Sequence, residues 1–232
     1  MRVLAIDTSL ARGSVAAVSE GRSIEIVLPV AGEHARRIGG ALAGSAEALG
    51  WTVGDVELVA VVRGPGSFTG LRVGLATAKA LAWATGAALV GVSGFEVIAR
   101  RTARRGGTFD VPLHVAYDAG RGDLFVAEAT PAPGLPAGFR LSPPRLATAT
   151  AWLAELPAGA SVTGPGLAVM ADALARRADL AIAPPDAWPP TAADTAELAG
   201  RLHAAGQRDA PAALVPDYLR PSYADETAGR PA

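Results

Sequence analysis

VELVAVV (Val56–Val62), RGPGSFTG (Arg63–Gly70) and LRVGLATAKALAWAT (Leu71–Thr85) are read together first. Seven almost unbroken apolar residues predict a strand buried on both faces. Three glycines and a proline then break the chain, and Leu71 to about Thr85 reads as a helix that Gly86 ends. A strand that feeds a helix through a short turn is the repeating unit of an α/β fold. Working outward, Ala88–Val92 is the next strand and Glu33–Leu49 a preceding helix closed by Gly50. Arg2–Ile6, Gly13–Val18 and Ser23–Val30 read as three strands of an antiparallel meander. The last of these is half-buried, with Ile24, Ile26, Leu28 and Val30 on one face. The order of strands and helices predicts a mixed sheet flanked by helices.

The second half repeats the theme more loosely. Leu113–Tyr117 and Leu124–Ala129 read as a hairpin, Thr148–Leu156 as a helix and Ser161–Thr163 as a strand. Gly164-Pro165-Gly166 echoes Gly64-Pro65-Gly66. Arg100–Gly107 is basic and ends in glycine, which suggests a domain boundary. Pro184–Pro190 is a linker, and Thr191 with Asp194 three residues on opens a helix to about Ala205. The expected organisation is a first lobe over 1–105 and a second over 106–190. The helix and tail over 191–220 are expected to pack back on the first lobe.

Half of the 232 residues are hydrophobic and 19% are charged, ample for a folded core. The net charge of −1 argues against tight, unaided nucleic-acid binding, which phosphate neutralisation dominates. The absence of cysteine excludes disulfides, thiolate metal sites and thiol nucleophiles. His34, His114 and His203 are far apart and in no metal-ligand spacing. The opening MRVLAIDTS is too short an apolar run for a signal peptide, because Asp7 interrupts it. A cytoplasmic protein without a membrane segment is therefore expected.

Two features could carry function. Gly64, Gly66 and Ser67 lie in a glycine loop at a helix start, where free N–H groups suit an anion. The same residues equally describe a tight turn capped by Ser67 or Thr69. Asp7, Thr8 and Ser9 close the first strand and could contact phosphate or magnesium, or simply cap a turn. The second feature is a pair of narrow seams. Ile38, Leu42, Ser45 and Leu49 are spaced 4, 3, 4, and so are Leu71, Leu75, Ala78 and Ala82. Such seams suit packing on another helix, or simply cover a sheet.

LAIDTS, EHARRI (Glu33–Ile38), RGPGSFTGLRVGLATAKALA (Arg63–Ala82), YDAGRGDLF (Tyr117–Phe125) and PDYLR (Pro216–Arg220) together resemble the TsaB (YeaZ) family. That family is an accessory component of bacterial tRNA N6-threonylcarbamoyladenosine synthesis. The resemblance implies a two-lobed fold of the actin/Hsp70/sugar-kinase type. It implies a non-catalytic scaffold with no catalytic residue, metal or cofactor of its own, ATP and metal belonging to partner subunits. It further implies a heterodimer with the catalytic paralogue TsaD, a ternary complex with TsaE, tRNA held only through the complex, and a homodimer when alone. Both seams, with His34 and Arg37, would form the partner surface. On that reading a charged residue at Leu75 abolishes partner binding and leaves the fold intact. The paralogue's metal-ligating histidine stretch corresponds to Gly94–Ile98, which holds no histidine. Gly120 stands where the family often has arginine. The competing readings are a sugar-kinase-like ATPase using Asp7 and the glycine loop, and a glycoprotease-like hydrolase.

Overall fold

The computed structural model describes residues 1–28, 33–105 and 111–220. The first lobe contains β1 (Val3–Asp7), β2 (Ser14–Ser19), β3 (Arg22–Val27), α1 (His34–Glu47), β4 (Leu58–Gly64), α2 (Phe68–Thr85) and β5 (Ala88–Ser93). Then follow α3 (Gly94–Arg104), β6 (Leu113–Gly120), β7 (Asp123–Pro131), β8 (Phe139–Leu141), β9 (Arg145–Thr148) and α4 (Ala149–Glu155). The chain continues through β10 (Ser161–Thr163), α5 (Ala171–Leu174), β11 (Ala181–Ile182) and α6 (Ala192–Ala204). Val30, expected on the third strand, lies outside the described residues.

The two sheets repeat one topology. The first has the order β3-β2-β1-β4-β5 and the second β8-β7-β6-β10-β11, with β9 also paired to β7. In each, a meander is antiparallel and the two later strands join in parallel: β1 pairs β4, and β6 pairs β10. This is the two-lobed, mixed-sheet α/β architecture that the sequence leads one to expect.

The period of two along β1 explains the layering. Leu4 and Ile6 point to one face and pack with Ile38 and Leu42 of α1 and Leu75 and Ala78 of α2. Val3 and Ala5 point to the other and pack with Ala196, Leu198 and Ala199 of α6. Both faces are thus covered, which is why β1 and β4 are apolar at nearly every position. In the second sheet, Ala116, Leu124 and Val126 meet Trp152 of α4, while Val115, Tyr117 and Phe125 meet Phe95 and Ile98 of α3. Helices α3 and α6 therefore lie between the sheets.

The basic run expected to mark a boundary is helical through Arg104; residues 106–110 lie outside the described part. Its cations have partners on and just before α6. Arg100 donates to Glu197 at 2.6 Å, Arg101 to Asp194 at 2.5 Å, and Arg104 to both acids. Arg105 pairs with Asp186. The run is a clamp that joins the middle layer. Thr191 caps α6 by accepting from the Asp194 N–H at 3.1 Å.

Candidate functional site

A cleft of about 1300 Å³ separates the lobes. Its walls come from the β1–β2 turn (Ser9–Ser14), the loop Pro65–Phe68, the end of β6 at Asp118 and Ala119, and the tail Asp217–Arg220. Pro165, Ala168 and Val169 complete the side made by the second lobe. These are the strand ends and glycine loops singled out in the sequence, now gathered from both halves of the chain.

Asp7 sits behind this cleft, 3% exposed. Its Oδ1 accepts from the Ser9 N–H at 2.9 Å and the Ser9 hydroxyl at 2.6 Å. Burial pushes the Asp7 carboxyl above the usual range, the two Ser9 hydrogen bonds oppose this, Glu25 adds to it and His34 subtracts. The buried site therefore favours a neutral acid. Because the folded state holds its proton more tightly than the unfolded chain, the stability Asp7 contributes is full at acid pH. It is lost as pH rises through the raised value. Asp7→Asn keeps an acceptor for both Ser9 donors and cannot ionise. It should melt higher than wild type at pH 8, with the advantage gone at pH 3; thermal melts at the two pH values measure this.

The glycine loop is filled by its own chain. The Ser67 N–H donates to the Ser9 carbonyl at 2.7 Å, and the Ser67 hydroxyl accepts from the Gly70 N–H at 3.3 Å. The Thr8 hydroxyl donates to the Gly70 carbonyl at 2.7 Å. A Cβ on Gly66 would lie 2.4 Å from the Ser9 carbonyl oxygen, and one on Gly70 only 2.0 Å from that of Thr8. At Gly74 it would lie 2.4 Å from the Thr8 hydroxyl. These glycines let α2 rest directly on the end of β1. A Cβ on Gly64 would meet the Asp217 carbonyl oxygen at 2.8 Å. Of the two readings of this loop, the tight capped turn is the one the geometry fits. The loop packs directly on Thr8–Ser9, while Ser9, Gly66 and Ser67 also line the cleft.

The second Gly-Pro-Gly does a similar task against β6. Cβ atoms on Gly164 and Gly166 would collide with Ala116 and Tyr117 backbone. Asp118, however, is no counterpart of Asp7: it is exposed, and its Oδ1 accepts from the Gly120 N–H at 2.7 Å within its own hairpin.

The seam residues are gathered too, but inward. Ile38, Leu42, Ser45, Leu71, Leu75, Ala78 and Ala82 are all buried within the chain, and Leu49 is partly so. They cover the sheet and cannot also touch a partner. The expectation that they form an outer interface is corrected on that ground: the bulky residues of each helix turn to the nearest apolar surface, which is the sheet. His34, expected at a contact surface, is buried with Nε2 unpartnered. Arg37 is exposed and pairs with Glu33 at 3.4 Å.

The outward faces carry different residues. On α1 they are Ala35, Arg36, Gly39, Gly40 and Glu47; on α2 they are Arg72, Ala76, Ala80, Trp83 and Ala84. Trp83 is 82% exposed. Sequence reasoning missed it, although it lies outside the 4, 3, 4 seam and is the most exposed large apolar side chain of α2. In α3, Phe95 and Ile98 from the Gly94–Ile98 stretch are core residues, and burial pushes the Glu96 carboxyl up against the pull of Arg63. Among the described residues no group of three His, Asp or Glu side chains converges, and no helix is long and apolar enough to cross a membrane.

Comparison with known proteins agrees with this geometry. Residues 28–132 match the family model described as TsaD, tRNA N6-adenosine threonylcarbamoyltransferase. The tRNA threonylcarbamoyladenosine biosynthesis protein TsaB of Escherichia coli is 34% identical over 128 residues, 55% of this chain and 54% of that protein. The Bacillus subtilis protein of the same name is 32% identical over 126 residues, 54% of this chain and 53% of that one. The chain thus spans about half the length of the curated relatives it matches. The structure titled YeaZ from Pseudomonas aeruginosa superposes with a TM-score of 0.76 at 25% identity, covering 94% of this chain and 99% of that one. The chain is thus similar to TsaB/YeaZ proteins in sequence over about half its length, and it shares their two-lobed, sugar-kinase-like α/β fold over nearly all of it.

Proposed function

We propose that this chain is the accessory, non-catalytic subunit of a bacterial tRNA threonylcarbamoyladenosine synthesis complex. It docks on the catalytic paralogue TsaD through the outward faces of α1 and α2. The carrying observation is a pair of helix residues that nothing inside the chain requires. Cβ atoms on Gly39 and Gly40 would meet nothing within 4 Å. Each glycine nonetheless costs the helix roughly 1 kcal/mol against alanine. Small residues on an outer face permit close approach of a second helical surface. Trp83, exposed on α2, is the residue type that anchors interfaces. The names of the relatives support the pathway, and TsaD as the docking partner is part of this reading. The non-catalytic part of the reading is supported by the glycine loop, whose N–H and hydroxyl groups are engaged by the chain's own Ser9 and Gly70. On this reading ATP and metal are bound by the partner subunits, TsaE joins as a third protein, and tRNA is held by the assembled complex. In the partner's absence the same faces pair two copies of the chain.

The test is sedimentation of the chain alone and mixed with TsaD from the same genome. A new species of summed mass is the expected result. Trp83→Glu should weaken that complex at least about 10-fold while the chain melts like wild type, because the side chain touches little of its own fold. An unchanged affinity would move the interface elsewhere. ATP turnover by the isolated chain, abolished by Asp7→Ala, would instead favour the sugar-kinase-like reading.

A further inference from the structure

The tail spans the cleft and is bonded to both of its walls. On the first lobe, the Asp217 N–H donates to the Arg63 carbonyl at 2.8 Å, and the Asp217 carboxylate pairs with the Arg63 guanidinium at 3.2 Å. Tyr218 stacks on Phe68 with ring centroids 4.9 Å apart. Arg72 lies over the Phe68 ring at 3.7 Å and donates from Nε to the Tyr218 hydroxyl at 2.8 Å. Two residues on, the chain has crossed to the second lobe. Leu219 packs against the cluster that includes Tyr117 and Phe125. Arg220 donates to the Ala119 carbonyl at 3.0 Å and pairs with Asp123.

The position of these contacts decides what they can do. The lobes are also joined by the middle layer, where α3 meets the second sheet and is clamped to α6 by ions. No residue of α3 lines the cleft, whereas Asp217, Tyr218, Leu219 and Arg220 all do. The middle layer is therefore placed to act as the hinge, and the tail as a tie across the opening. Most of the tie is polar and partly exposed: Arg63, Asp217, Phe68 and Tyr218 are all solvent-accessible. Exposed ion pairs and single ring stacks are weak compared with the buried packing of the hinge, so the tie is the part that can open without unfolding.

We infer that Pro216–Arg220 is a releasable latch that sets the separation of the two lobes and so the width of the cleft. Its release uncovers Phe68, Arg72 and the start of α2. The inference does not depend on the identity of any partner.

The chain's lack of cysteine makes the test direct. Spin labels on Ser23→Cys and Ala151→Cys, exposed positions on opposite lobes, report the interlobe distance by pulsed electron resonance. Wild type should give one narrow distribution. Tyr218→Ala cuts the latch from the first lobe and Arg220→Ala cuts it from the second. Either should broaden the distribution and lengthen its mean by several ångströms, with the circular dichroism of a folded chain retained. Asp123→Asn, which leaves the tail sequence untouched, should lengthen it in the same direction. A wild-type distribution in both Tyr218→Ala and Arg220→Ala overturns the latch, since the lobes are then held by the middle layer alone.

Discussion

Leu75→Glu should unfold the first lobe rather than disarm an interface. Leu75 is 3% exposed and lies in the cluster with Leu4, Ile6, Val59 and Val61. A carboxylate there faces apolar side chains. The substitution removes a buried leucine and desolvates a charge at once, a combination expected to cost more than about 4 kcal/mol. For a domain with the usual margin of stability that is a large share of the whole. Urea titration followed by circular dichroism should show the midpoint collapse, or no folded baseline at all. A stable Leu75→Glu chain that has merely lost its partner would restore the seam as an outer surface. The contrast with Trp83→Glu is the informative part. Both are large apolar residues on α2, and only burial separates their effects.

Gly70→Ala should also destabilise the chain, by about 3 kcal/mol, although it adds one methyl group. The new Cβ would lie 2.0 Å from the Thr8 carbonyl oxygen, and this neighbour is backbone, so no side chain can swing away. Relief requires α2 to lift from the end of β1, which breaks the Thr8 hydroxyl bond to the Gly70 carbonyl and disturbs the contact at Gly74. An anion cradle makes a different prediction: there the substitution would spare the melting temperature, and added ATP would stabilise wild type but not the variant. Thermal melts with and without ATP distinguish the two. An unshifted melt in Gly70→Ala would contradict the close approach described above.

Much of this fold was legible along the chain. Continuous apolar runs at β1 and β4 called for a sheet covered on both faces. The break at Arg63–Gly70 called for a strand-to-helix turn, and the repeated Gly-Pro-Gly hinted at duplication. The short strands β8, β9 and β11 were not legible, because two to four residues carry too little periodicity to stand out from a loop.

The site was legible by composition but not by direction. Asp7–Ser9 and Gly64–Gly70 stood out, yet whether the glycines hold a ligand or admit a neighbouring strand depends on what lies opposite them. That neighbour, Thr8–Ser9, is about 60 residues away in sequence. The same limit applies to the seams. A 4, 3, 4 spacing states that a helix has one apolar stripe; it does not state whether a sheet or a partner covers it. The basic run Arg100–Arg105 looked like a boundary because its counterions, Asp186, Asp194 and Glu197, are placed beside it only when α6 folds between the lobes.

The amino-acid sequence by itself determined the order and type of the main elements, the tight turn into α2 and the family resemblance, since these rest on local periodicity, backbone constraint and motif. The tertiary structure alone decided which helix face remains outside, what fills the glycine loop and where the tail crosses the cleft, because each depends on groups brought together from distant parts of the chain.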